Sequence, residues 1–298
     1  MGEIADALKR ANAERSAQRA RETREPESPQ IDSRREAAVT SALSQTDPHR
    51  EWATEVAPPP QRTRKLASLS PSEPAIVVGE HSNVEICRHL ANRVIAELER
   101  RSARSLAVVS PLRGEGKSTV ACNLAIALAS LSRGREVALV DLDLRRPTMA
   151  AKLGVNSPVG IERVLAGGTD LSEACVSIDQ PVMDVYPARE THRAAHELLV
   201  RPGFGEAIQE LERRYAVVIF DTPPVLLVPD TNLILRHVDA CVVLARAGAT
   251  SARAFSSMCE LLPQQKVLGS VLNGGRAPRH ARSYYYGAGD ESEEQRPA

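Results

Sequence analysis

The stretch that decides the fold is VVSPLRGEGKSTVACNLAIALA, residues 108–129. It joins a short apolar run to a long helical pattern through a loop that contains glycines, a lysine and a serine. In such a loop Gly114 and Gly116 let the backbone turn its N–H groups inward. Lys117 supplies a positive charge and Ser118 a hydroxyl ligand for Mg²⁺, where the helix N-terminus stabilises an anion. The stretch therefore predicts a nucleotide-phosphate site between a strand and a helix.

The loop departs from the usual phosphate-loop pattern at its first position. That pattern starts with Gly five positions before the Gly-Lys pair, and Pro111 stands there. A Gly-rich turn with a surface lysine is the alternative interpretation, but the strand before the loop and the helix after it favour the phosphate site. We predict that nucleotide binds to consecutive residues of this loop and helix, Gly114, Glu115, Gly116, Lys117, Ser118 and Thr119.

The segments around the loop alternate between strand patterns and helix patterns. Strand patterns occupy residues 105–110, 135–143, 183–188, 215–221, 239–247 and 266–273, and helix patterns occupy residues 84–101, 118–131, 202–214, 231–238 and 251–262. Such alternation is typical of βαβ units and of a mostly parallel sheet covered on both faces. We predict an α/β fold similar to P-loop NTPases, with ligands at the carboxyl ends of the strands.

Composition limits the functions that the chain can have. The 298 residues are 42% hydrophobic, enough for a sizeable core, and the 38 basic and 38 acidic residues cancel. We therefore expect no nucleic-acid partner. The five cysteines are widely spaced, which favours a reducing cytoplasm over a disulfide framework or a zinc site. No apolar run reaches the roughly 18 residues of a spanning helix, and no secretory signal is recognised, so we expect membrane contact only through a partner.

The chain divides into an extension, a domain and a tail. Residues 1–78 are rich in Arg, Glu, Ala, Ser, Gln and Pro, and we predict that they are largely disordered. Within them residues 2–10 fit either a short amphipathic helix or a frayed, solvated one. We assign the nucleotide-binding domain to residues 79–275. Residues 276–298 would form a flexible tail that carries adjacent tyrosines, Tyr284, Tyr285 and Tyr286.

Carboxylates follow two of the predicted strands. Asp141 and Asp143 come directly after one strand, and Asp221 ends another, so parallel pairing would place them on the same rim as the loop. A carboxylate there can hold Mg²⁺ through water or accept a hydroxyl proton. A single such residue would more simply be a helix cap or an ion-pair partner of Arg145 or Arg146. Three beside a phosphate loop favour the chemical roles.

These motifs carry a resemblance to a known family. SPLRGEGKST, VDLDLRRP and FDTPPV, followed by VLNG and the tyrosine cluster, resemble the bacterial tyrosine kinases of the polysaccharide co-polymerase system, from about Val84 to Tyr286. The first motif alone would also suit septum-site and partition ATPases. Those relatives usually have a signature Lys near the start of the loop, where this chain has Pro111, Leu112 and Arg113.

The resemblance implies a protein-tyrosine kinase domain with ATP and Mg²⁺ as cofactors. The catalytic residues would be Lys117, Asp141, Asp143 and Asp221, the magnesium ligands Ser118, Asp141 and Asp221, the residue facing the adenine Asn273, and the acceptors Tyr284, Tyr285 and Tyr286. Asp141 and Asp143 belong to the family's second Walker-A-like motif, and Asp141 would activate the tyrosine hydroxyl. A phenol, with a pKa of about 10, is a poor nucleophile until a carboxylate takes or orients its proton.

Assembly and partners follow from the same resemblance. The family uses a helix with Glu, then Arg three and six residues later, to build a ring; Glu85 and Arg88 fit, but Ala91 takes the third position, with Arg93 two residues on. An ordinary ion pair is an equal interpretation, so we expect a homo-oligomer and leave the ring open. The resemblance implies a membrane-anchored co-polymerase or chain-length adaptor on a separate chain and a cognate tyrosine phosphatase. It places the protein in the cytoplasm, at the inner face of the membrane through that adaptor.

The leading hypothesis is thus an ATP-dependent tyrosine autokinase that regulates exopolysaccharide or capsule biosynthesis or export. The alternatives are an ATPase switch of the septum-site or partition type, and a nucleotide-binding regulator without kinase activity. His192 and His196 have i,i+4 spacing that would suit a metal, but no third ligand is evident and we interpret them as solvated residues near a helix start.

Overall fold

The computed structural model describes residues 66–71, 76, 82–131 and 137–275. The predicted helix at residues 2–10, the tyrosine cluster and the rest of the tail lie outside the described residues. Two parts of the predicted extension belong to the folded domain, because residues 66–67 join the sheet and Ile76 is buried in its core.

The described part of the chain forms an eight-stranded sheet. Its strands are β1 (Leu66–Ala67), β2 (Ser105–Val109), β3 (Val137–Asp141), β4 (Val176–Ile178), β5 (Met183–Tyr186), β6 (Val217–Asp221), β7 (Ala240–Arg246) and β8 (Val267–Asn273). They lie in the order β1-β4-β5-β3-β6-β2-β7-β8, and every pair is parallel except β4 with β5.

Helices connect the strands. They are α1 (Ser82–Arg100), α2 (Lys117–Leu131), α3 (Met149–Leu153), α4 (Ile161–Leu165), α5 (Leu171–Ala174), α6 (Ala195–Leu199), α7 (Pro202–Arg214), α8 (Asp230–His237) and α9 (Ala252–Leu261), with a 3₁₀ turn at Gln264–Lys266. Among the described residues, none of these helices is both long enough and apolar enough to cross a membrane.

The strand sequences explain why the sheet is covered on both faces. The central strands β2, β3 and β6 are buried at every position, which matches their uninterrupted apolar runs. Along β2, Ala107 and Val109 pack into the core beneath α7, α8 and α9, whereas Leu106 and Val108 pack into the core beneath α1 and α2. The predicted α/β fold, a mostly parallel sheet with helices on both faces, is confirmed.

The sequence patterns missed the shortest elements. The helices α3 to α6 have four or five residues each, too few to establish a helical period, and β4 has three. The antiparallel hairpin of β4 and β5 also departs from simple βαβ alternation. The strand order places the carboxyl ends of β3, β6, β2, β7 and β8 side by side along one rim of the sheet.

Candidate active site

The loop between β2 and α2 has the backbone of a phosphate cradle. Gly114 and Gly116 have φ angles of 76° and 100°, a region that residues with a side chain rarely adopt. Lys117 begins α2 and is only 6% exposed. Its Nζ donates hydrogen bonds to Ser110 Oγ at 3.2 Å and to the Leu112 carbonyl oxygen at 3.3 Å. The ammonium group is therefore held over the loop.

Burial lowers the pKa of Lys117, and the charge of Asp221 opposes that shift. The ammonium group is therefore costly to keep in its pocket unless anions surround it. Ser118 and Thr119 follow in the first turn of α2, both half-buried. Their hydroxyls thus lie in the part of the helix that an anion would approach.

Gly116 tolerates a side chain less well than Gly114. A Cβ on Gly116 would lie 2.1 Å from Asn273 Nδ2, whereas a Cβ on Gly114 would meet nothing within 4 Å. We expect Gly114→Ala to cost about 1–2 kcal/mol from its positive φ alone. Gly116→Ala should weaken nucleotide binding about tenfold relative to Gly114→Ala, because it also displaces Asn273. Urea unfolding and nucleotide titration of both variants check this, and equal affinities would contradict it.

Asp141 and Asp221 face each other on adjacent strands. They are register partners at the ends of β3 and β6, and both are fully buried. Asp141 accepts backbone hydrogen bonds from Asp143 at 3.1 Å and from Met149 at 3.3 Å. Burial raises its pKa, and the neighbouring Asp221 carboxylate raises it further. Two buried carboxylates this close favour a cation or a proton between them.

Asp221 is the less satisfied member of the pair. Within the described residues neither of its carboxylate oxygens accepts a hydrogen bond of normal geometry. Burial raises its pKa to about 7, although the Ser118 hydroxyl and the Lys117 ammonium favour its charged form. A buried carboxylate that accepts no hydrogen bond of normal geometry within the described residues, next to a serine hydroxyl, has the donor set that a hard divalent cation takes.

Asp143 lies further out on the rim. It is half-buried, and its Oδ1 accepts a hydrogen bond from the Arg146 amide at 3.2 Å. Burial raises its pKa, and the charge of Lys117 lowers it. The structure therefore brings Asp143 into the electrostatic surroundings of the phosphate loop.

In the described part of the chain, neither arginine after β3 forms an ion pair with a rim carboxylate, although the charge of Arg146 lowers the pKa of Asp143. Arg145 instead forms a two-pronged ion pair with Asp230 at the start of α8, at 2.6 Å and 3.1 Å. The side chain of Asp230 is only 1% exposed, so this pair ties the loop after β3 to the segment after β6. Arg146 is exposed, and the contact that it makes to Asp143 comes from its backbone.

Asn273 and Thr250 contact the phosphate loop through one of its residues, Glu115. Asn273 Nδ2 donates to the Glu115 carbonyl oxygen at 2.9 Å. The Glu115 side chain is 3% exposed and accepts a hydrogen bond from Thr250 Oγ1 at 2.6 Å. Sequence reasoning missed Thr250 and its neighbour Arg246, because nothing in their local sequence marks them. The one available signal was their position, with Arg246 at the end of β7 and Thr250 in the turn after it.

The remaining sequence candidates are the two histidines and the ring pattern of α1. His192 precedes α6 and His196 lies within it, so they do not share a helix face. Among the residues that the structure describes, no group of three or more His, Cys, Asp or Glu side chains could hold a metal. On α1, Arg88 pairs with Glu85 at 2.6 Å on the exposed surface, while Ala91 is fully buried. The third position of the ring pattern thus points into the core.

Comparisons with known proteins identify the family of the chain. The sequence model of the family described as AAA domain matches residues 103–266, more than half of the chain. The chain is 32% identical over 192 residues to the tyrosine-protein kinase YwqD of Bacillus subtilis, which covers 64% of this chain and 80% of that protein. It is 30% identical over 171 residues to the tyrosine-protein kinase CpsD of Streptococcus agalactiae, with coverages of 56% and 74%.

A solved structure leads to the same family. The kinase domain of the Escherichia coli tyrosine kinase ETK superposes with a TM-score of 0.62 at 29% identity. The superposition covers 73% of this chain and 87% of that domain. The likeness therefore extends over the sheet and the helices that build the rim.

Proposed function

The chain belongs to the bacterial tyrosine-protein kinases and carries their AAA domain, and we propose that it transfers the γ-phosphate of ATP to tyrosines of its own tail, Tyr284, Tyr285 and Tyr286. One observation carries this proposal. The phosphate loop meets the buried pair of Asp141 and Asp221 at one rim, so anion binding and proton acceptance are available together.

The loop and α2 would bind the phosphates. Backbone N–H groups of the loop, the positive end of the α2 dipole and the Lys117 ammonium all favour an anion at the same place. The cost of burying Lys117 would then be offset by phosphate charge. We place the nucleotide along Gly114 to Thr119, with the adenine on the side of Asn273.

The residues beside Lys117 fit a magnesium ion. Ser118 offers a hydroxyl, and Asp221 offers buried oxygens that accept no other hydrogen bond of normal geometry in the described residues. Asp141 would complete the protein's contribution. Magnesium takes only one or two carboxylates besides phosphates and water, so the lack of a larger acidic cluster fits. Bound Mg²⁺ would neutralise charge on the phosphate oxygens.

Asp141 is our candidate for the group that activates the tyrosine. In the transfer the phenolic O–H bond breaks and the proton passes to an Asp141 carboxylate oxygen. A bond forms between the phenolic oxygen and the γ-phosphorus, and the bond from that phosphorus to ADP breaks. Asp143, nearer the surface, would help to orient the acceptor. The buried ends of β3 and β6 would exclude water, which would strengthen the electrostatic interactions of these carboxylates with the reacting groups.

We place this reaction in the regulation of exopolysaccharide or capsule biosynthesis or export. The support is the family itself and the motifs that resemble the polysaccharide co-polymerase kinases. A membrane-anchored co-polymerase or chain-length adaptor on a separate chain would hold the protein at the inner face of the membrane. A homo-oligomer and a cognate phosphatase complete the proposal, in which residues 79–275 are the kinase domain and residues 276–298 its substrate tail.

Incubation of the pure chain with γ-labelled ATP and Mg²⁺ tests the proposal. We expect label on tyrosine, within the peptide that contains Tyr284 to Tyr286, and none after Mg²⁺ is chelated. Lys117→Met removes the phosphate-binding charge and should abolish the label, while Arg253→Ala, an exposed residue of α9, should leave it unchanged. Release of inorganic phosphate without labelled protein would instead support the ATPase switch.

A further inference from the structure

The last residue of β7 and the turn that follows it pack against the outer side of the phosphate loop. Arg246 Nη1 donates a 2.6 Å hydrogen bond to the Gly114 carbonyl oxygen. Thr250 Oγ1 donates one of the same length to Glu115 Oε1. Asn273, at the end of β8, donates to the Glu115 carbonyl oxygen at 2.9 Å. We call Glu115, Arg246, Thr250 and Asn273 the loop clamp.

Glu115 is the centre of the loop clamp. Its carboxylate is buried and accepts a second hydrogen bond, from the Leu112 amide to Oε2 at 2.7 Å. Thr250 Oγ1 in turn accepts a hydrogen bond from the Arg246 amide at 2.8 Å. The hydroxyl is thereby polarised toward Glu115, and a charge-assisted bond of this kind fixes the side chain strongly.

A phosphate cradle requires such contacts for a geometric reason. When successive N–H groups turn inward to an anion, the carbonyl groups of the same peptides turn outward and need donors of their own. Five of the loop carbonyls have them: those of Ser110 and Pro111 accept from the amides of Val225 and Leu226, that of Leu112 from Lys117 Nζ, that of Gly114 from Arg246, and that of Glu115 from Asn273. The outward half of the cradle is therefore set largely by residues that follow β6 and by the last residues of β7 and β8.

We propose that Glu115, Arg246 and Thr250 are positioning residues that hold the phosphate loop open for nucleotide before it binds. A loop fixed in its binding conformation avoids the ordering cost that a mobile loop would incur on each binding event. The Glu115 side chain acts from behind the loop, through Thr250 and Leu112, and does not contact the nucleotide. This inference rests on the proposed function, because it concerns the same phosphate site.

Thr250 offers the cleanest test. Thr250→Val removes the hydroxyl and keeps the shape, so Glu115 loses one of its hydrogen bonds, and we expect the dissociation constant of a fluorescent ATP analogue to rise about tenfold. Thr250→Ser restores the hydroxyl and should bring the affinity back to within about twofold of the wild type. Arg246→Ala should weaken binding similarly, whereas the control Arg253→Ala should not.

Two further measurements distinguish a positioning role of Thr250 from a role in stability alone. In autophosphorylation, Thr250→Val should raise KM for ATP and leave kcat nearly unchanged, because the transferring groups are intact. Urea unfolding shows how much stability the variant loses. Lower stability with unchanged ATP affinity, measured well below the unfolding transition, would overturn the proposal.

The affinity measurement also keeps the two proposals apart. If the wild type binds the ATP analogue but labels no tyrosine, the proposed function fails and the loop clamp is still judged by the Thr250 variants. If Thr250→Val binds the analogue as tightly as the wild type does, the loop clamp is wrong whatever the kinase activity.

Discussion

Replacing Asp141 with Asn should lower the rate of autophosphorylation by about two to four orders of magnitude, the range that a positioned general base contributes. The carboxylate is fully buried at the end of β3, so water cannot readily take its place. ATP affinity measured without Mg²⁺ should change far less, because Lys117 and the loop bind the phosphates. Single-turnover transfer and ATP titration of the same variant check both statements.

The variant also has a structural cost that needs a control. Asp141 accepts hydrogen bonds from two backbone amides, and the Asn side chain can accept only one of them, so we expect about 1–3 kcal/mol of lost stability. Asp184→Asn is a matched control, since Asp184 is buried on the neighbouring strand β5 and accepts a hydrogen bond from Tyr215 at 2.6 Å. It should lose stability and keep its transfer rate. A rate for Asp141→Asn within tenfold of that control would rule out Asp141 as the base.

The rim of the sheet is the part of this protein that the sequence predicted best. Uninterrupted apolar runs predicted the buried strands, and parallel strands end on the same edge of a sheet, so Asp141 and Asp221 were expected close together. Their register, and with it the rise that the Asp221 carboxylate causes in the pKa of Asp141, requires the alignment of β3 against β6. Gly114 and Gly116 indicated the loop, because glycine is the residue that readily adopts the positive φ angles found there.

What the sequence did not reveal depends on contacts between distant segments. Glu115 and Thr250 are 135 positions apart, and Arg145 and Asp230 are 85 apart. No periodicity or spacing links such pairs, since each forms only after the strands between them have taken their order. The sequence thus predicted Glu115 as a nucleotide contact and offered Arg145 only as an alternative partner of a rim carboxylate, and it could not show the contacts of Glu115 with Thr250 or of Arg145 with Asp230.

The tail prediction has the other large expected effect. Replacing Tyr284, Tyr285 and Tyr286 together with Phe should reduce label incorporation by about tenfold or more, because Phe has no hydroxyl oxygen to form the ester. ATP affinity and the loop should be unaffected. The span from Asn273 to Tyr284 is eleven residues, up to roughly 36–40 Å when extended, enough to reach the rim of the same subunit or of a neighbour.

The triple Phe variant also reports on the geometry of transfer when it is mixed with Lys117→Met. The first chain keeps the site but has no acceptors, and the second keeps the acceptors but has no working site, so label on the Lys117→Met chain shows transfer between subunits. Wild-type incorporation by the triple Phe variant alone would show that the acceptors lie elsewhere.

The flanks of the tyrosine cluster explain why transfer would matter: basic residues precede the tyrosines and acidic residues follow them. Each phosphate adds roughly −1.5 to −2 of charge beside those carboxylates, which would expel the tail from an acidic rim.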